Sequence, residues 1–165
     1  RSDFEYKDLL YIREGAIDEA LKLLKKGVTI YTDTKMALSG INKKALEKLN
    51  CRVISYVSEE EVAKIAKERE ITRSMAAVEK AVEDGVEFFV FGNAPTAVFK
   101  LKELVEEGKA NPKFIIACPV GFVGAAECKV EIEKLNIPMI TVRGRKGGSG
   151  IAACIVNALM YMLAR

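Results

Sequence analysis

Val86-Glu87-Phe88-Phe89-Val90-Phe91-Gly92-Asn93-Ala94-Pro95-Thr96 reads as a strand, a turn and the start of a helix in one short run. Phe88 to Phe91 is apolar without alternation, as a strand covered on both faces requires. Gly92 suits the tight turn, Pro95 suits the first helical position, and Gly108 suits the end of that helix. Lys113-Phe114-Ile115-Ile116-Ala117 repeats the continuous apolar run, so these two strands belong at the centre of a sheet. Three more β-rich runs complete the set: Val28 to Thr32, Arg52 to Tyr56, and Met139 to Val142.

Amphipathic segments separate these runs, and alternation of this kind predicts an α/β fold with a mainly parallel five-stranded sheet and helices on both faces. A helix is expected over Glu14 to Lys25. Ser58 with Glu61 has the form of a capping box opening a helix that ends near Arg69. Thr72 or Ser74 caps a helix that stops before Gly85. Gly124 to Asn136 carries Ala125, Cys128, Ile132 and Leu135 at helical spacing, and Ile151 to Leu163 is apolar on most sides, so that last helix is largely buried, in the core or against a second subunit.

The chain has 165 residues, half of them hydrophobic, which supports one domain over residues 1–165. Its net charge of +3 argues against a polyelectrolyte that binds nucleic acid. Cys51, Cys118, Cys128 and Cys154 form no CxxC pair and the chain contains no histidine, so no metal site of zinc-like spacing is expected. The cysteines read as small buried hydrophobes of a reducing cytosol. With neither a long apolar run nor a signal-peptide pattern, the sequence predicts a soluble cytoplasmic protein without membrane association.

Ligands of open parallel sheets bind beyond the carboxyl ends of the strands. The segments expected there are Asp33 to Ile41, Gly92 to Thr96, Pro119 to Gly124, and Arg143 to Gly150. Glycines allow close backbone approach, and helices starting after such loops leave N–H groups for a ligand. The last loop is the sharpest: Arg143, Arg145 and Lys146 beside Gly147 and Gly148 form an expected carboxylate or phosphate site. Neither a Walker A pattern nor a GxGxxG turn is present. Arg73 opposes its helix dipole and calls for an anionic partner; Asp33 reads as a cap or ion-pair partner more simply than as an acid. Asn93 could bind a ligand or hold its own turn. Met36, Phe99 and Phe122 could wall a flat macrocycle, although such residues usually belong to the core. Lys129 and Glu127 read as surface pairing with Glu131 and Glu133.

Read as strings, Met36 to Ile41, Thr72-Arg73-Ser74-Met75-Ala76-Ala77-Val78-Glu79, Gly92 to Phe99, Pro119 to Lys129, Thr141 to Ser149 and Asn157-Ala158-Leu159 resemble the precorrin-8X (cobalt-precorrin-8) methylmutase family. The resemblance implies a Rossmann-like three-layer α/β/α domain acting as a homodimer without a cofactor. It implies an isomerase of corrin biosynthesis that moves a methyl group from C11 to C12 of the ring, giving hydrogenobyrinate or, with cobalt, cobyrinate. The substrate is a tetrapyrrole fringed with carboxylates. Substrate contacts are expected from Met36, Arg73, Asn93, Thr96, Gly121, Arg143, Arg145, Lys146 and Gly147. In the family the acid is taken to be a histidine in an Arg-x-x-His-x-x-Gly-Asp-like stretch just before the segment that begins here at Asp3. That role maps onto no residue of this chain, so the catalytic residue is left unassigned. The alternative from another class is a corrinoid-binding protein of the same fold without turnover; a domain binding a nucleotide through the Arg143–Gly150 loop is a third.

Overall fold

The computed structural model describes residues 5–56 and 58–164; the Arg1-Ser2-Asp3-Phe4 stretch adjoining the expected histidine segment lies outside them. The elements run α1 (Glu5–Leu9), β1 (Leu10–Ile12), α2 (Ala16–Lys25), β2 (Thr29–Thr32), α3 (Lys35–Gly40), α4 (Lys43–Leu49) and β3 (Arg52–Ile54). They continue with α5 (Glu60–Arg69), α6 (Arg73–Glu83), β4 (Phe88–Phe91), α7 (Pro95–Glu106), β5 (Phe114–Ala117), α8 (Ala125–Ile132), β6 (Met139–Val142) and α9 (Ser149–Ala164).

The sheet order is β1-β6-β5-β4-β2-β3. All five expected strands are present and mutually parallel, but the sheet has a sixth: β1 pairs antiparallel with β6, Leu10 opposite Val142. The expectation of five strands is corrected on physical grounds. A three-residue edge strand following a single helical turn is too short to show a period. The five parallel strands take the flavodoxin-type doubly wound order, which reverses direction between β2 and β4 and opens a crevice at their carboxyl ends.

Two apolar layers sandwich the sheet. On one face α2, α4 and α9 pack on Ile30, Phe88, Phe114, Ile116 and Ile140; on the other, α5 to α8 pack on Tyr31, Phe89, Phe91, Ile115 and Met139. The Phe88 and Phe114 rings meet at 4.9 Å across β4 and β5. Fully burying a side chain of this size contributes about 2 to 3 kcal/mol, so the centre of the sheet is the firm platform for the loops above it.

Local chemistry sets the helix starts. Thr34 accepts from the Ala37 N–H at 3.0 Å, Asn42 from Ala45 at 3.0 Å, and Thr72 from Met75 at 3.1 Å, while Pro95 opens α7. The Ser58 capping box does not form: α5 begins one residue later, with Glu59 as its uncapped start, and Glu61 lies 3.6 Å from Lys80 instead. Cys51, Cys118 and Cys128 are buried and Cys154 is exposed. Burial pushes the Cys118 and Cys128 thiols up to about 12, which keeps them inert hydrophobes.

Candidate functional site

The loops after β2, β4, β5 and β6 lie side by side along one end of the sheet. At the crevice between β2 and β4, Asp33 is 2% exposed and its carboxylate accepts three backbone N–H groups. Oδ1 takes Gly92 at 2.7 Å; Oδ2 takes Asn93 at 3.0 Å and Ala94 at 2.8 Å. Burial pushes the Asp33 carboxyl up, and these bonds oppose the shift by stabilising the charged form. Geometry decides the role: with three donors converging on it, Asp33 is an acceptor that caps the turn into α7. The N–H groups of this turn, expected from sequence to face a ligand, are therefore occupied. Gly92 is obligatory for a different reason, since a Cβ there would lie 2.7 Å from the Ser149 Cα. The Thr34 and Ser149 hydroxyls bond at 2.7 Å and tie the β2 loop to the start of α9.

The β5 and β6 loops are joined through backbone. Gly148 donates to the Cys118 carbonyl at 2.7 Å and Gly121 to the Arg145 carbonyl at 3.0 Å. Gly147, at φ 156°, packs so tightly that a Cβ would fall 2.1 Å from the Cys118 oxygen. Side-chain substitution at this position is blocked by both conformation and contact.

Beneath this loop lies a group that the sequence reading placed elsewhere. Lys129 is 1% exposed, and its ammonium donates to the Gly144 carbonyl at 2.8 Å and the Lys146 carbonyl at 2.7 Å. The expected pairing of Lys129 with Glu131 or Glu133 is thus overturned. Glu131 pairs with Lys134 and Lys102, and Glu133 faces β6. Helix α8 turns position 129 inward under the loop, and helical spacing alone does not say which face is covered. Burial pushes the Lys129 pKa down.

Above the loop backbone the cations diverge. Arg143 is held side-on by Glu133, with Nη2 to Oε1 at 2.7 Å and Nε to both oxygens, and its guanidinium stacks 4.2 Å from the Tyr11 ring centroid. Glu133 also accepts from the Thr141 hydroxyl at 2.8 Å. Burial raises the Glu133 pKa, but the bonds from Arg143 and Thr141 outweigh it and hold the carboxyl below its ordinary range. A shallow cavity of about 290 Å³ here is lined by Ala126, Lys129, Val130, Glu133, Arg143 and Gly144. Arg145 is exposed and lies over the Phe122 ring at 4.9 Å. Phe122 is 83% exposed, Val123 89% and Met36 73%, against the expectation that Met36 and Phe122 belong to the core; Phe99 is at the margin of exposure. Bare Phe122 and Val123 beside the Arg145 cation are surface of the kind that marks binding.

Of the residues singled out from sequence, Asn93, Gly121, Arg143, Arg145, Lys146 and Gly147 fall on three neighbouring loops, and Thr96 on the first turn of α7 that follows one of them. Met36 stands on α3, whose far end is anchored by Asn157: Nδ2 donates to the Gly40 carbonyl at 2.9 Å and Oδ1 accepts from Asn42 at 2.8 Å. Arg73 is the exposed first residue of α6. Because α6 runs back to the start of β4, its first turn points toward the same end of the sheet. Lys129, Glu133 and Ser149 were missed. Their signal is a polar residue on an otherwise inward-facing helix position, which becomes visible once the packing face is known.

The family model described as CbiC: Precorrin-8X methylmutase matches residues 1–162. The chain is 44% identical over 164 residues to the cobalt-precorrin-8 methylmutase of Salmonella typhimurium, covering 98% of this chain and 76% of the relative. It is 40% identical over 157 residues to the precorrin-8X methylmutase of Pseudomonas aeruginosa, covering 92% and 74%. A crystal structure of a precorrin-8X methyl mutase from Thermus thermophilus superposes with a TM-score of 0.90 at 34% identity, covering 98% of this chain and 79% of that one. With the match running through the loops described above and beyond them over nearly the whole sequence, this chain belongs to the precorrin-8X methylmutase family.

Proposed function

We propose that this protein is an isomerase of cobalamin biosynthesis that moves a methyl group from C11 to C12 of precorrin-8X or cobalt-precorrin-8, working as a cytoplasmic homodimer. The observation that carries the reading is the pairing of exposed apolar side chains, Phe122 and Val123 after β5 and Met36 after β2, with the cationic loop Arg143–Gly147, Arg145 lying over Phe122, all at the carboxyl ends of the strands. A flat macrocycle fringed with carboxylates needs both surfaces.

The chemistry follows from what such a migration requires. No atom is exchanged with the protein, so the site must bind the ring, hold it in reactive geometry, exclude water and place one proton. Arg145 and Lys146 meet peripheral carboxylates, with Arg73 contributing from α6. Arg143 spends Nε and Nη2 on Glu133 and contributes through Nη1. The proton is assigned to no described residue. Asp33 is saturated with N–H donors, and the Lys129 ammonium is turned onto two carbonyls. Cobalt, where present, arrives inside the substrate ring.

The test is a visible-absorbance assay of the full protein with precorrin-8X, whose conjugation changes on methyl migration. Appearance of the hydrogenobyrinate spectrum is expected. A bound spectrum that does not progress would contradict the isomerase reading and leave a corrin-binding protein.

A further inference from the structure

We infer that Lys129 is the positioning residue of the cationic loop: from below, its ammonium fixes the Gly144–Lys146 backbone and thereby the directions in which Arg145 and Lys146 present their charges to substrate carboxylates. The inference rests on the proposed site and adds a residue that never touches the substrate.

A lysine at 1% exposure is unusual, because an ammonium removed from water must recover its hydration from the protein. Lys129 makes no ion pair among the described residues; its ammonium donates instead to the Gly144 and Lys146 carbonyls, at 2.8 and 2.7 Å. These carbonyls flank Arg145, so the two bonds span the cationic stretch and pull both peptide oxygens inward. Gly144, at φ 80°, permits the sharp turn that lets its carbonyl point down. The opposite strap is formed by Gly121, whose N–H holds the Arg145 carbonyl at 3.0 Å, and by Gly148, whose N–H holds the Cys118 carbonyl at 2.7 Å. Three successive carbonyls of the loop are thus taken by named donors, and with its carbonyls engaged the loop is left presenting its cationic side chains.

A second consequence is electrostatic. The buried charge lies under the Arg143–Lys146 loop, and Glu133, which pairs with Arg143, makes no ion pair with Lys129 among the described residues. An anion arriving above the loop would add to the stabilisation that the carbonyl dipoles already give this buried cation, and the cation's field would draw the anion in. This makes Lys129 more than a packing element: it adds long-range attraction for a polycarboxylate without contacting it.

The experiment compares hydrogenobyrinate binding, by visible-absorbance titration, in the wild type, K129M, K129R, R145A and K146A. Hydrogen exchange of the 144–148 amides is followed in parallel. Binding is chosen over turnover so that the acid does not enter. K129M is expected to bind about tenfold more weakly, the equivalent of ~1.4 kcal/mol. Its loop amides should exchange faster while the sheet amides stay protected, and K129R, which keeps charge and donors, should recover most of the affinity. If K129M does not fold, K129Q, which keeps a neutral polar head, is read in the same way. A K129M or K129Q protein that binds within about twofold of the wild type while R145A loses affinity would overturn the positioning role, since every 1.4 kcal/mol is tenfold. Wild-type affinity in R145A and in K146A would instead sink the proposed site, whatever Lys129 does.

Discussion

Two buried charges face opposite kinds of backbone at the same end of the sheet. Asp33 gathers three N–H groups from the β4 loop; Lys129 gathers two carbonyls from the β6 loop. Each satisfies the loop it holds, yet the outcomes for function are opposite. The anion consumes the donors that a ligand carboxylate could have used, so the Gly92–Ala94 turn becomes structural. The cation consumes acceptors, so the Arg143–Gly148 loop is left presenting positive charge. The difference teaches that a glycine-rich loop at the end of a strand is functional or structural according to which of its backbone groups the protein has already claimed.

The largest effect should come from breaking the structural half. D33A strands three buried N–H groups and is expected to destabilise folding by about 3 kcal/mol or more, read as a fall in urea midpoint, since each unsatisfied group costs about 1 to 3 kcal/mol. D33N, retaining an acceptor, should cost less. If D33A were fully stable but bound no corrin, the comparison would be reversed.

The functional half should answer in binding. R145A is expected to weaken hydrogenobyrinate binding by about 1 to 3 kcal/mol with little change in stability, an effect that shrinks as salt is raised. R143A should cost less, under about 1 kcal/mol, because Glu133 and Tyr11 already occupy that exposed guanidinium. Equal losses in the two variants would show that Glu133 releases Arg143 to the ligand.

The cationic loop carries two opposed responses to pH, one from Lys129 beneath it and one from Glu133 beside it. The folded pKa of Lys129 lies below its unfolded value, so between the two the unfolded chain binds more protons and stability rises with pH. Wild-type stability should therefore gain on that of K129M as pH climbs toward the ordinary lysine value of about 10.4. The Glu133 carboxyl is held low, so its contribution is present above the ordinary glutamate pKa and is lost as pH falls through the folded value. That loss should be the smallest of these effects, read as a narrowing gap between wild type and E133Q in acid. A gap that stays constant would remove the Glu133 pairing.

Much of this arrangement is legible in the sequence. Phe88 to Phe91 and Phe114 to Ala117 declare a doubly covered sheet centre because continuous apolar runs bounded by turn residues have few other destinations. The cationic loop declares itself through composition, and Asp33 through its position at a strand end. What escapes the sequence depends on contacts distant along the chain. β1 exists because β6 offers an edge, and Lys129 is buried because the loop folds over α8. Met36 and Phe122 are apolar yet exposed, and no local pattern separates a core phenylalanine from one kept bare for binding. Glu133 sits at the end of α8, where helical spacing proposed Lys129 as its partner and the tertiary fold supplied Arg143 instead.

The most direct test of the central claim is titration of hydrogenobyrinate into the wild type and the R145A/K146A double variant at low and high salt. Tight, salt-sensitive binding is expected of the wild type, and in the double variant a loss of about a hundredfold together with a flatter salt dependence. Equal affinity in both proteins at both salt levels would contradict the assignment of the Arg143–Gly147 loop to the substrate's carboxylates.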